Sequence, residues 1–294
     1  MSQKRTVLVT GATGKQGGAV ADALLARGHT VRALTRNPDN AAARALAARG
    51  AEIAVGSFDE PATIVAAARG VDAGFLMTNV DQQDFAGETR QGIAGANAMK
   101  TAGIGHLVYS SVASANRATG IPHFDSKYGV EQHLQTLGVP FTISAPVAFM
   151  ENVTAPWGLD ALRNGTFAFM LAPEKTLQLV SVGDIGEFAA GLFERREAVF
   201  GKRFDIAGDA VTGVEQAGVL SSVLGKPITY QEIPLSMVRQ QSEDTALMAE
   251  WFAKVGYSAD MTALRRDFPD VGWHTFADWA KQADWSVLDR PKQS

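Results

Sequence analysis

The sequence has 294 residues, 46% hydrophobic and 20% charged, with a formal net charge of −4. That is the composition of an ordinary globular chain long enough for one or two domains, and its acidic balance offers no broad face for nucleic acid. With no cysteine, disulfides, thiolate metal sites and cysteine nucleophiles are excluded, and no apolar run approaches the roughly 20 residues that span a bilayer.

The N-terminus runs straight into a short apolar strand pattern without the h-region of a signal peptide, so a cytoplasmic chain with no membrane attachment is expected. Thr6–Thr10 reads as a buried strand, a glycine-rich turn follows, and a helix over Lys15–Arg27 is closed by Gly28. A second strand (Thr30–Thr35), a helix (Asn40–Arg49), a third strand (Ala51–Val55), a helix (Pro61–Arg69) and a fourth strand (Ala73–Met77) continue the alternation. A long helix over Asp84–Ala102, a fifth strand (His106–Ser110), a helix over Ser126–Leu137 and a sixth strand (Phe141–Ser144) complete it. Strands this apolar must be covered on both faces. With right-handed crossovers, that gives an α/β, doubly wound, parallel-sheet Rossmann fold over residues 1–153.

Beyond Ala145 the rhythm changes, and Pro146, Pro156 and Pro173 mark longer loops around short strands such as Phe167–Leu171. Residues 154–294 read as a smaller, interleaved C-terminal α/β lobe on the substrate side. From it a strand–helix unit, Leu177–Glu194 within 177–196, is expected to return to the main sheet. Strands at Arg203–Ile206 and Ile228–Glu232 and helices at Val214–Leu224, Leu235–Val255 and Phe276–Ala283 make up the rest.

Between the first strand and the first helix stands Gly11-Ala-Thr13-Gly14-Lys15-Gln16-Gly17, a GxxGxxG turn in the context that gives such a motif meaning. Gly11 permits the tight turn, Gly14 lets backbone N–H groups approach a pyrophosphate, and Gly17 allows close helix–strand packing. The phosphates then sit at the positive end of a helix dipole. NAD-binding units carry an acid at the end of the second strand for the ribose hydroxyls; here Arg36 stands there. A guanidinium pairs with a 2′-phosphate and gains little from a hydroxyl, so NADP(H) is the expected cofactor, with Lys15 adding positive charge. The other reading of Arg36 is a solvated loop arginine.

The segments Val7–Gly17, Val31–Pro38 and His123-Phe-Asp-Ser-Lys127 resemble the NmrA-like branch of the atypical short-chain dehydrogenases/reductases, HSCARG-like NADPH-sensor members included. Phe149-Met-Glu-Asn152 after Pro146, Val180–Gly186 and Phe276–Ala280 extend the resemblance over nearly the whole chain. It implies that Gly11, Thr13, Gly14, Gln16 and Gly17 line the phosphate loop and that Arg36 holds the 2′-phosphate. By the same resemblance Phe58 and Asp59 flank the adenine, Thr78 and Asn79 lie along the ribose and nicotinamide, and Pro146, Phe149 and Asn152 close over the nicotinamide.

Active short-chain dehydrogenases use serine, tyrosine and lysine, the last two as YxxxK at the start of a helix. Here the pentapeptide is HxxxK, His123 to Lys127, and Tyr128 is out of register. The spacing puts His123 and Lys127 a turn apart on one helical face, with Val130, Leu134 and Leu137 continuing roughly that side. Lys127 reads as a ligand of the nicotinamide-ribose hydroxyls or as a solvated helix lysine. His123, whose ordinary pKa suits proton transfer near neutrality, reads as a general acid or simply as a helix-start residue. Ser111, matching the superfamily serine, reads as a hydrogen-bond donor to a substrate carbonyl or as a strand-end cap. His29, His106, His133 and His274 have no metal-ligand spacing, so no metal is expected.

Three functions remain open on this reading. One is an NADPH-dependent reductase of a small apolar acceptor (a quinone, enone, imine or carbonyl), with Phe149, Met150, Trp157 and Phe169 as apolar walls. Another is a redox sensor that speaks to a regulatory protein partner through loop ordering, at Gln82–Gln91 and Ala113–Pro122, or through a homodimer equilibrium. The third is a cofactor-binding scaffold with neither activity nor switching.

Overall fold

In the computed structural model, which describes residues 3–79 and 84–289, the N-terminal half alternates strand and helix. The order is β1 (Thr6–Val9), α1 (Lys15–Ala26), β2 (Thr30–Thr35), α2 (Ala41–Ala48), β3 (Glu52–Val55), α3 (Pro61–Ala68) and β4 (Ala73–Leu76). It continues with α4 (Phe85–Thr101), β5 (Leu107–Ser110), α5 (Pro122–Leu137) and β6 (Phe141–Pro146). The second half holds β7 (Ala148–Phe149), α6 (Pro156–Arg163), β8 (Thr166–Phe169), β9 (Thr176–Val180), α7 (Val182–Arg195), β10 (Arg203–Ile206) and β11 (Asp209–Thr212). It ends with α8 (Gly213–Leu224), β12 (Thr229–Glu232), α9 (Leu235–Gln241), α10 (Glu243–Lys254), α11 (Met261–Asp267) and α12 (Phe276–Gln282).

Among the described residues, seven strands form one sheet in the order β10-β6-β5-β4-β1-β2-β3, every pair parallel. The α/β, doubly wound Rossmann-type class is therefore correct. Alternate strand residues go to opposite faces, as a pleat of period two requires. Val7, Val9, Val31, Ala33 and Phe75 join one core with Leu24 of α1 and Ile185, Phe188 and Leu192 of α7. Leu8, Leu34, Leu76, Leu107 and Tyr109 join the other, with Ile64, Met99, Val130, Leu134 and Leu137 of α3, α4 and α5. The chain reverses direction across the sheet between β1 and β4, the place where open α/β sheets leave a crevice at their strand C-termini.

The structure departs from expectation in four places, two in each half. Of the unit at Leu177–Glu194, α7 does lie on the main sheet's face against α1, but β9 pairs with β11 and β7 in a separate sheet, and β10 is the seventh main strand. The helix expected over Leu235–Val255 is two, broken at Ser242, whose hydroxyl caps α10 by accepting from the Thr245 N–H. The helix bearing Lys127 begins at Pro122 and not at Ser126, because proline at a first helical position has its φ preset and no N–H to satisfy. The segment Gln82–Gln91 is not a loop from Phe85 onward but the start of α4, and Gln82 and Gln83 lie outside the described residues. A third core, built from Met150, Leu162, Phe167, Leu179, Leu220, Phe252, Phe276 and Trp279, holds these smaller elements together.

One buried group makes the sheet sensitive to acid. His106 Nε2 lies 2.9 Å from Thr142 Oγ1, whose own proton goes to the Val199 carbonyl, so Nε2 donates while buried Nδ1 has no partner. Burial, with the charges of Arg196 and Arg5 adding to it, pushes the pKa of His106 down to about 3. A histidine that stays neutral when folded costs stability as pH falls through its unfolded value. Between pH 7 and pH 5 that loss is about 2 kcal/mol for an unfolded pKa near 6.5. Urea unfolding of His106→Gln at the two pH values is expected to show the difference shrink by about that amount.

Candidate functional site

The expected site residues follow the C-terminal ends of successive parallel strands, and so gather along one edge of the sheet. The phosphate loop follows β1, Arg36 follows β2, Phe58 and Asp59 follow β3, Thr78 and Asn79 follow β4, Ser111 follows β5, and Pro146 ends β6.

In the loop, Gly11 has a φ of +63°, and its carbonyl accepts from the Gly14 N–H at 2.9 Å. A Cβ on Gly17 would lie 2.3 Å from the Gly11 carbonyl oxygen, so no side chain fits there. The N-terminus of α1 stands at Gly14 with no side-chain cap and no acid in its first turn, whereas α2, α4, α7, α8, α10, α11 and α12 all have side-chain caps. Uncapped first-turn N–H groups beside a glycine turn suit an anion. Thr13 is half-buried, and Gln16 is turned inward, donating to Ser110 Oγ at 2.7 Å. Arg36 is exposed and makes no ion pair among the described residues, so its charge is free for a ligand. Phe58 packs so close to α4 that a Cβ on Gly95 would meet its ring at 2.8 Å; Asp59 is exposed and accepts from Gln91.

Lys127 is held from two sides. Its ammonium donates to the Thr78 carbonyl at 3.1 Å and to Glu88 Oε1 at 2.8 Å. The Glu88 side chain is wholly buried, and it also accepts from the Thr78 hydroxyl at 3.2 Å and from the Ser126 hydroxyl. Asn79, next along the chain, is exposed.

His123 has a different partner. Its backbone N–H donates to Asp244 Oδ1 at 3.0 Å, and Nδ1 lies 2.6 Å from Asp244 Oδ2, close but not aligned as a hydrogen bond. Asp244 belongs to α10, so this contact docks the start of α5 onto that helix. Ser111 is buried, and its hydroxyl donates to Glu131 of α5, which is paired with Arg203 at 3.0 Å. Serine, histidine and lysine are thus each tied to a separate carboxylate, Glu131 on α5, Asp244 on α10 and Glu88 on α4.

An apolar cleft lies beyond β6, lined by Phe149, Val153, Trp157, Phe167, Phe169 and Leu179 with Asn152 and Gln216 as polar groups. Trp157 is 62% exposed at this cleft, and Met150 is fully buried in the core and takes no part in the lining. The free volume is about 20 Å³, near that of one water, so a ring-sized guest requires the rim to open. Glu151, between Phe149 and Asn152, bridges to the phosphate loop. Its carbonyl lies 3.5 Å from Lys15 Nζ, and its carboxylate accepts from the Val182 N–H and from Trp279 Nε1. Burial pushes its pKa up, against the pull of those hydrogen bonds and of Lys15.

Glu88, Asp244 and Glu151 were missed from sequence. Only Glu88 carries a readable signal. It falls on the buried stripe of α4 with Gly92, Gly95, Ala96 and Met99, where an acid is out of place unless it has partners. No group of His, Asp and Glu suited to a metal occurs among the described residues, nor is any helix there long and apolar enough to cross a membrane.

A model of the NmrA-like family matches residues 3–288. A (4-alkanoyl-5-oxo-2,5-dihydrofuran-3-yl)methyl phosphate reductase of Streptomyces griseus is 32% identical over 247 residues, 83% of this chain and 81% of that protein. In three dimensions the fold is similar to that of Citrobacter sp. triphenylmethane reductase complexed with NADP(H), with a TM-score of 0.79 at 22% identity, over 95% of this chain and 99% of the other. It is also similar to NmrA, a negative transcriptional regulator, in complex with NADP, with a TM-score of 0.78 at 22% identity, over 96% and 95% of the two chains. The match over almost the full length settles the family: this chain belongs to the NmrA-like family.

Proposed function

We propose that this chain binds NADP(H) and transfers hydride from NADPH to a small apolar acceptor such as a quinone, enone, imine or carbonyl. The observation that carries the reading is the apolar cleft lined by Phe149, Trp157 and Phe169, which begins where the dinucleotide edge of the sheet ends. The glycine turn with Thr13, Lys15 and Gln16 cradles the pyrophosphate, Arg36 takes the 2′-phosphate, Phe58 and Asp59 flank the adenine, and Lys127 takes the ribose hydroxyls. Pro146, Phe149 and Asn152 form the nicotinamide side. The bound cofactor supplies hydride, and the protein supplies orientation and a dry wall. His123, held by Asp244, is not a freely placed proton donor. The acceptors favoured are therefore those that take hydride first and then a proton from water. The reductase and NADP(H)-complexed relatives support this reading.

The test is loss of nicotinamide absorbance when purified protein meets NADPH and a panel of quinones, enones, imines and aldehydes. Turnover with at least one acceptor class is expected; tight NADPH binding with no turnover anywhere would remove the reductase reading. A second reading, a redox sensor acting through a protein partner or a homodimer equilibrium, is favoured by the Asp244–His123 contact. That contact ties the lysine-bearing helix to the second lobe, and an NADP-complexed regulator shares the fold. It predicts that NADPH changes hydrogen-exchange protection across Ala113–Pro122 or the oligomeric state. Neither changing would sink it.

A further inference from the structure

We propose that Glu88 is a positioning residue for the dinucleotide: its buried carboxylate fixes the Lys127 ammonium so that one N–H faces the nicotinamide ribose. The inference rests on the reading above that Lys127 meets the ribose, and adds the group that aims it. An ammonium has three donors. Two are taken, by Glu88 Oε1 and the Thr78 carbonyl, and the third has no partner among the described residues. Lys127 keeps 17% of its side chain exposed while Glu88 keeps none, so of the two it is the lysine that a ligand can reach.

Stability alone is a poor reason for this pair. Taking a carboxylate and its ammonium partner out of water is costly in desolvation, and apolar residues of equal volume usually serve a fold as well. The carboxylate is also held on both oxygens, by the hydroxyls of Thr78 and Ser126, which keeps it from rotating away from the lysine. Thr78 thus directs its hydroxyl to Glu88 and not to the cofactor, and its carbonyl completes the lysine's seat.

The pairing also bears on the missing tyrosine. In a YxxxK site the lysine's positive field favours an ionised phenol. Here Glu88 cancels that field, leaving Lys127 as a directional hydrogen-bond donor, which is what hydroxyl recognition needs and all that a site with His123 in the tyrosine's place can use.

Calorimetry with two ligands tests this. NADPH carries the nicotinamide ribose; adenosine 2′,5′-bisphosphate carries the 2′-phosphate without it. Glu88→Gln is expected to weaken NADPH about 10-fold and to leave the bisphosphate within about 2-fold. Lys127→Met is expected to show the same pattern, and the double variant to bind NADPH no more weakly than Lys127→Met alone. Equal weakening of both ligands by Glu88→Gln marks a merely structural role and overturns the proposal. So does an unchanged NADPH affinity in Glu88→Gln beside a weakened one in Lys127→Met. If Lys127→Met itself binds NADPH normally, the underlying placement of Lys127 fails, a result distinct from either. Should Glu88→Gln not fold, Ser126→Ala loosens the same carboxylate without changing charge. About a 3-fold loss on NADPH alone supports the proposal, and no loss overturns it.

Discussion

Arg36→Ala is expected to weaken NADPH binding by roughly 10- to 100-fold while leaving NADH within about 2-fold. Charge-assisted hydrogen bonds to a phosphate contribute about 1.5–3 kcal/mol, and Arg36 is the group at the end of β2 that offers them. The side chain is exposed and without an ion-pair partner among the described residues, so its removal leaves no buried charge behind; the thermal midpoint is expected to stay within about 1 °C. Exposure also means screening. The preference for NADPH over NADH should shrink as salt rises, because the Debye length falls from about 10 Å at 0.1 M to about 3 Å at 1 M. Calorimetric titration of both dinucleotides, in wild type and variant at two salt concentrations, reads all of this. An equal loss for both, or a preference that ignores salt, places the 2′-phosphate elsewhere.

Much of the fold was legible because two periodicities coincide with the physics of a covered sheet. In β1, Val7 and Val9 face one core and Leu8 the other, and a strand apolar on both faces has no place except between two helical layers. The helices' starts were less legible, although the signals were present. Ile121-Pro122 preset the first turn of α5, and Ser242 followed by two acids and Thr245 marks a new N-terminus inside what reads as one apolar-periodic run. The second half of the chain was legible only in outline. Short strands such as β11 pair antiparallel with β9 through contacts that no local pattern announces, and β9 joins β7 and not the main sheet.

The site divides in the same way. The places of the glycine turn and of Arg36 at strand ends could be read because each lies within one strand–turn–helix unit, where spacing fixes geometry. Lys127 could be placed by its helix, but what holds it could not: Glu88 is 39 residues away and Thr78 is 49. Asp244 is 121 residues from His123. Their pairing depends on how α10 docks against α5, a packing outcome with no trace in either segment. A sequence can place a titratable group on a strand edge, yet the carboxylate that decides what it does often arrives from another layer.

The glycine turn permits a sharper test than loss of a charge. Gly17→Ala is expected to lower binding of both dinucleotides by more than about 100-fold and to destabilise the fold by about 1–3 kcal/mol. The added methyl would sit 2.3 Å from the Gly11 carbonyl oxygen and 2.6 Å from that of Thr10. Both are backbone atoms at the end of β1, and neither swings aside as a side chain does. The helix must therefore lift away from the strand, carrying with it the first-turn N–H groups that the phosphates need. Gly18→Ala is the control one residue along. Its methyl would meet the Ala12 carbonyl at 3.3 Å, a gap that closes with a shift of a few tenths of an ångström, and alanine gains about 1 kcal/mol of helix propensity over glycine. Gly18→Ala is expected to bind NADPH within about 3-fold of wild type and to unfold at no lower temperature. The contrast between neighbours isolates close approach from helix propensity, since both substitutions are chemically the same. If the two variants bind alike, the turn is not clamping the helix against the strand end, and α1 does not present its N-terminus to a pyrophosphate.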